Sequence, residues 1–121
     1  MTGLQGKRIL LVEDEFFVAA MAADMLAELG ATVVGPAATI AKGMRLAETE
    51  ALDAAVLDLN IGGERSDAIA AALRARNVSV VFATGYGRAG LAMAGTAAVV
   101  EKPYSQEKLA EALLQALSAS A

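Results

Sequence analysis

Six polar residues stand where short apolar runs of this chain end. Glu13 and Asp14 follow "RILLV", Asp58 and Asn60 close "DAAVLDLN", Thr84 ends "VSVVFAT", and Lys102 comes just after "AAVV". Three carboxylates drawn to one place repel one another, and their pKa values rise unless a cation is present. A hard divalent ion resolves that conflict, and Mg2+ prefers a few carboxylate or carbonyl oxygens plus several waters. The chain contains neither histidine nor cysteine, so no nitrogen or thiolate ligand favours zinc and no imidazole can act as a base. Lys102 adds a positive charge. Thr84 adds a hydroxyl beside the Gly85 N–H, donors suited to a phosphoryl oxygen. A metal, a nucleophilic carboxylate, a lysine and a hydroxyl are the parts needed for phosphoryl transfer to an aspartate. Taken singly, the residues also have ordinary readings. Asp14 can cap the helix that follows, Lys102 can be a solvated lysine, and Thr84 can simply end a strand. Asp58 is harder to dismiss, because a carboxylate closing an apolar strand is costly without a partner.

The elements that must position these residues alternate along the chain. "RILLV" (8–12), "TVVG" (32–35), "DAAVLDLN" (53–60), "VSVVFAT" (78–84) and "AAVV" (97–100) read as five short strands. Between them lie helical patterns. Phe17, Met21, Ala22, Met25 and Leu29 recur at helical spacing in the first, which ends at Gly30. Thr39 caps the second, with Ile40, Met44 and Ala47 on one face. Ser66 or Asp67 caps the third, with Ile69 and Leu73 inward. Ser105 caps the last, with Leu109, Leu113, Leu114 and Leu117 inward. Alternating strands and helices imply a parallel sheet covered on both faces. Five strands in this length fit a flavodoxin-like (βα)5 three-layer α/β sandwich, with strand order 2-1-3-4-5. In such a fold ligands bind beyond the carboxyl ends of the strands, which is where the polar residues fall.

Composition narrows the function further. A chain of 121 residues, 56% of them hydrophobic, makes one domain spanning 1–121 with a sizeable core and no visible effector domain. A net charge of −4 argues against nucleic-acid partners, which require a basic face. The short run "ILLV" is too brief for a signal peptide or a membrane span, so the expectation is a soluble cytoplasmic protein without a membrane partner.

"FATGYGRAG" (82–90) contains a literal G-x-G-x-x-G at Gly85, Gly87 and Gly90. Dinucleotide-binding units place that motif after the first strand and before a full helix. Here it follows the fourth strand, and the segment to Thr96 contains four glycines, each costing about 1 kcal/mol inside a helix. The fourth helix is therefore predicted to be short or disordered, and its segment to be the moving part of a switch.

Taken together, "LVEDE" (11–15), "VLDLNIGG" (56–63), "FATG" (82–85) and "EKPY" (101–104) make the chain resemble a response-regulator receiver domain of two-component signalling over nearly its whole length. The resemblance implies Asp58 as phospho-acceptor. It implies Mg2+ held directly by Asp14 and Asp58, by Glu13 mostly through water, and by the Asn60 backbone carbonyl. Thr84 would bond a phosphoryl oxygen, Lys102 would pair with the phosphoryl group, and the Lys102–Pro103 peptide would be cis. Receivers usually carry an aromatic switch residue three positions before the lysine; here Val99 stands there, leaving Tyr86 and Tyr104 as substitute switch candidates. "FATGYG" and "NIGGERSD" resemble the alphaproteobacterial Phe-Ala-Thr-Gly subgroup of stand-alone receivers. That subgroup implies a sensor histidine kinase of HWE or related type, or a phosphotransfer protein, as partner. The implied state is a monomer or weak dimer, signalling by protein contact, phosphate relay or phosphate sink. The implied chemistry is self-catalysed phosphotransfer and autodephosphorylation only, not that of an enzyme. Two alternatives are a degenerate receiver acting purely as an interaction module and an aspartyl-nucleophile phosphatase. The latter is weakened by Asn60, which stands where an acid/base aspartate is required.

Overall fold

The computed structural model describes residues 3–85 and 98–120. Its strands are β1 (Arg8–Val12), β2 (Thr32–Ala37), β3 (Ala54–Asp58), β4 (Asn60–Ile61), β5 (Glu64–Arg65), β6 (Ser79–Thr84) and β7 (Ala98–Glu101). Its helices are α1 (Phe16–Glu28), α2 (Ile40–Thr49), α3 (Asp67–Ala75) and α4 (Gln106–Ser120). Five strands form one parallel sheet in the order β2-β1-β3-β6-β7, the flavodoxin-like arrangement expected from the sequence. The fourth helix of that expectation falls on residues 86–97, outside the described residues.

β3 is central and buried at every residue, which explains why it reads as an unbroken apolar run until Asp58. Alternate side chains feed two cores. Ile9, Leu11 and Val56 pack with Leu26, Leu109 and Leu113 beneath α1 and α4. Leu10, Val12, Leu57 and Phe82 pack with Ile69 and Leu73 on the face carrying α2 and α3. Each fully buried leucine contributes about 2 kcal/mol from removal of its surface from water. Thr39 Oγ1 accepts the Lys42 N–H at 3.1 Å and Ser105 Oγ the Lys108 N–H at 3.1 Å, the expected helix caps.

Three expectations require correction. The third strand stops at Asp58, and Asn60 instead opens a two-stranded antiparallel hairpin with β5. Gly62 (φ 58°) and Gly63 (φ 85°) make its turn, a backbone region that other residues seldom adopt. The buried face of α1 keeps Ala22 and Leu29 of the predicted set, with Met25 packed against the core, but departs from it at Phe17 and Met21. Ala19, Ala22 and Leu26 point inward, while Phe17 and Met21, together with Phe16, are exposed. Small residues let α1 lie close to the sheet, and the large ones stay outside. Finally, Ser66 stands at the N-cap of α3 without capping it. Its buried hydroxyl donates to the Asp58 carbonyl at 2.7 Å, supporting the backbone where β3 ends.

Candidate phosphoryl-acceptor and metal site

The strand order brings four chain segments to one rim. β3 ends at Asp58, flanked by β1, which leads into Glu13 and Asp14, and by β6, which ends at Thr84. β7 leads into Lys102, whose backbone N–H donates to the Thr84 carbonyl at 2.8 Å. The Lys102–Pro103 peptide is cis. Carboxylate oxygens of Glu13, Asp14 and Asp58 all lie within 4.8 Å of one another.

Lys102 is the cation of this cluster. Its Nζ is 2.9 Å from Glu13 Oε1 and 2.8 Å from Asp58 Oδ2. Asp58 Oδ1 accepts the Asn60 N–H at 3.2 Å, and Asp14 Oδ2 accepts the Gly62 N–H at 2.8 Å. The hairpin that the sequence reading missed therefore steadies two of the three carboxylates. Glu13 is only 3% exposed. Burial pushes its carboxyl up to about 7, with the charge of Asp58 adding to the rise and the bonds from Lys102 and the Glu15 N–H opposing it. For Lys102 burial works against the charge, but hydrogen bonds to Asp58 and Glu13 outweigh it and hold the ammonium well above its usual range. Thr84 is fully buried at the end of β6.

Three hard oxygen donors, with no nitrogen or sulfur among them, fit a divalent ion of the magnesium type. Asp14, Asp58 and Glu13 would hold it. Asn60, whose backbone N–H bonds Asp58, opens β4 beside them.

The site opens into a cavity of about 700 Å³. Asp14, Asp58, Asn60, Gly85 and Lys102 form one end, and Val18, Met21, Met25 and Tyr104 extend it along α1. This apolar extension was not read from the sequence, although the α1 spacing of Met21 and Met25 carries part of the signal. Tyr104 packs against the α1/α4 core and Val99 against the α2/α3 core. A ring at Tyr104 thus lies against a different core from the one Val99 meets. Burial, then the Glu13 charge, raises the Tyr104 phenol to about 12. Tyr86 lies outside the described residues.

The response regulator receiver domain family matches residues 9–114. The chain belongs to that family. The receiver domain superposes on solved structures along almost its full length. It is similar to a response regulator receiver protein from Sinorhizobium medicae WSM419, at 24% identity and a TM-score of 0.83, covering 98% of this chain and 100% of that one. A CheY-like receiver domain protein from Methanospirillum hungatei JF-1 gives 24% identity and 0.81, covering 96% and 97%. The PhyR stress response regulator gives 25% and 0.83, covering 95% of the receiver domain and 46% of PhyR. No curated protein gives a sequence match. Among the described residues no helix is long and apolar enough to cross a membrane. Receiver domains are signalling domains that bind Mg2+ at an acidic pocket and interact with histidine kinases or phosphotransfer proteins.

Proposed function

We propose that this receiver accepts a phosphoryl group on Asp58 from the phosphohistidine of a sensor histidine kinase of HWE or related type, or from a phosphotransfer protein. The observation that carries this reading is the pairing of Lys102 with both Glu13 and Asp58 beside Asp14. One Asp58 oxygen attacks phosphorus, and the donor's imidazole leaves. Asn60 N–H holds the other Asp58 oxygen, which orients the nucleophile. Lys102 turns from Asp58 to the incoming phosphoryl oxygens, and Thr84 bonds one of them. Mg2+, when bound, neutralises the carboxylates and the phosphoryl oxygens together.

The likeness of "FATGYG" and "NIGGERSD" to the Phe-Ala-Thr-Gly subgroup supports a stand-alone cytoplasmic receiver, monomeric or weakly dimeric. Its output is protein contact, relay or phosphate sink. Tyr104, bordering the acid cavity, is the switch ring within the described residues, and Tyr86 is the second candidate. Incubation with Mg2+ and a small phosphodonor or a cognate kinase should label the wild type and leave Asp58→Asn blank. Equal labelling of both would overturn the reading.

A further inference from the structure

Ser66 is fully buried and stands at the start of α3, where a serine side chain ordinarily accepts a helix N–H. That task goes with an extended backbone, which Thr39 has at the start of α2 (φ −134°, ψ 158°). Ser66 lacks it (φ −91°, ψ 15°), and its oxygen makes no cap bond. Its hydroxyl proton points the other way, to the Asp58 carbonyl at 2.7 Å.

Two successive peptide planes lead from Asp58 to Asn60, and each is held on both edges. A trans peptide is planar, so fixing one edge aims the other. In the first plane the Asp58 carbonyl accepts the Ser66 hydroxyl, and the Leu59 N–H donates to the Ala83 carbonyl of β6 at 3.0 Å. In the second the Leu59 carbonyl accepts the Ser66 N–H at 3.0 Å, with the Ser66 hydroxyl 3.3 Å away. The far edge of that plane is the Asn60 N–H, which donates to Asp58 Oδ1 at 3.2 Å. One buried serine therefore stands behind both planes, and the second plane ends on the carboxylate itself. Without the hydroxyl, the Asp58 carbonyl loses this donor and the first plane can turn about its remaining bond. The second plane follows, and the Asn60 N–H swings away from Oδ1.

Resting on the phospho-acceptor reading, we propose that Ser66 is a positioning residue for the nucleophile. It acts through the backbone from Asp58 to Asn60 and sets the angle at which the Asp58 carboxylate faces phosphorus. Lys102 holds Oδ2, and a peptide whose tilt Ser66 controls holds Oδ1. Ser66 itself does not line the cavity.

The test uses phosphoramidate, whose P–N bond matches that of phosphohistidine, as donor at saturating Mg2+. Ser66→Ala should lower the maximal labelling rate by about three- to tenfold, the scale of one hydrogen bond, and leave the half-saturating donor concentration unchanged. Hydrogen exchange at the Asn60 amide should quicken relative to the Val56 and Val81 amides in β3 and β6. Ser66→Cys, close in size but a weak donor, should match Ser66→Ala and replaces it if that protein fails to fold. Ile69→Val, a truncation on the buried face of the same helix, should lower the urea midpoint and keep the wild-type rate. A folded Ser66→Ala or Ser66→Cys protein with the wild-type maximal rate, or with its loss wholly in half-saturation, would overturn the inference and leave Asp58 as acceptor. So would Asn60 exchange that rises only in step with Val56 and Val81, the mark of general loosening. Wild type that takes label no better than Asp58→Asn would overturn the phospho-acceptor reading and this inference with it.

Discussion

Both ends of the sheet hold a cation among acidic groups, in very different surroundings. At the amino end Arg8 reaches Glu50 at 3.1 Å and the Ala51 carbonyl at 2.7 Å, while its backbone N–H meets Asp53 at 2.8 Å. The Arg8 side chain is 40% exposed, so water competes for every contact. At the carboxyl end Lys102 is 15% exposed and lies between two carboxylates that are more buried still. The first arrangement ties a strand to a neighbouring loop, and solvated pairs of this kind contribute at most about 1 kcal/mol. The second gathers charge where desolvation is expensive, a cost that a fold has little structural reason to carry. The contrast separates an ion pair that fastens the chain from one that waits for chemistry.

The comparison can be broken most forcefully at Asp58. Asp58→Asn should reduce phosphoryl labelling to background, whereas Arg8→Ala should label like wild type, both measured with one donor and Mg2+. Next in size is the effect of removing each cation. Lys102→Ala leaves two buried carboxylates facing one another and should lower metal-free stability by about 3 kcal/mol. Urea denaturation checks this, and Mg2+ should restore more of the loss in this variant than in wild type.

A smaller effect comes from protonation. Glu13 titrates near 7 in the fold against 4.5 for an unperturbed carboxyl, so the folded chain keeps a proton that the unfolded chain has released. That contribution to stability is full below about pH 4.5 and disappears as pH rises through about 7. In metal-free buffer the urea midpoint of wild type should therefore fall across this window relative to that of Glu13→Gln. Parallel profiles would rule out Glu13 as the source. Smallest of all, Arg8→Ala should cost about 1 kcal/mol or less, and its effect should shrink with added salt.

The sequence made the positions of the site legible because each polar residue interrupts an apolar strand at the same end. A carboxylate at Asp58 contradicts its surroundings, and such contradictions mark sites. The partners were less legible. Glu13 and Lys102 directly follow strands that are not neighbours, and nothing local joins them. The β4–β5 hairpin had a signal in the Gly62–Gly63 pair, but "DAAVLDLN" reads as one run, so the break after Asp58 is hidden. α1 misled because large apolar residues usually point inward. Its buried positions are the small Ala19 and Ala22 with Leu26, and hydrophobicity alone ranks the two alanines below Phe17 and Met21.

Lys102 has one more consequence. Lying between Glu13 and Asp58, it serves as an internal counter-ion that offsets part of the negative charge of the acid cluster. Small metal domains whose ligands repel until the ion arrives cannot fold first and load afterwards. Here Lys102 supplies part of that opposing charge from within the chain itself.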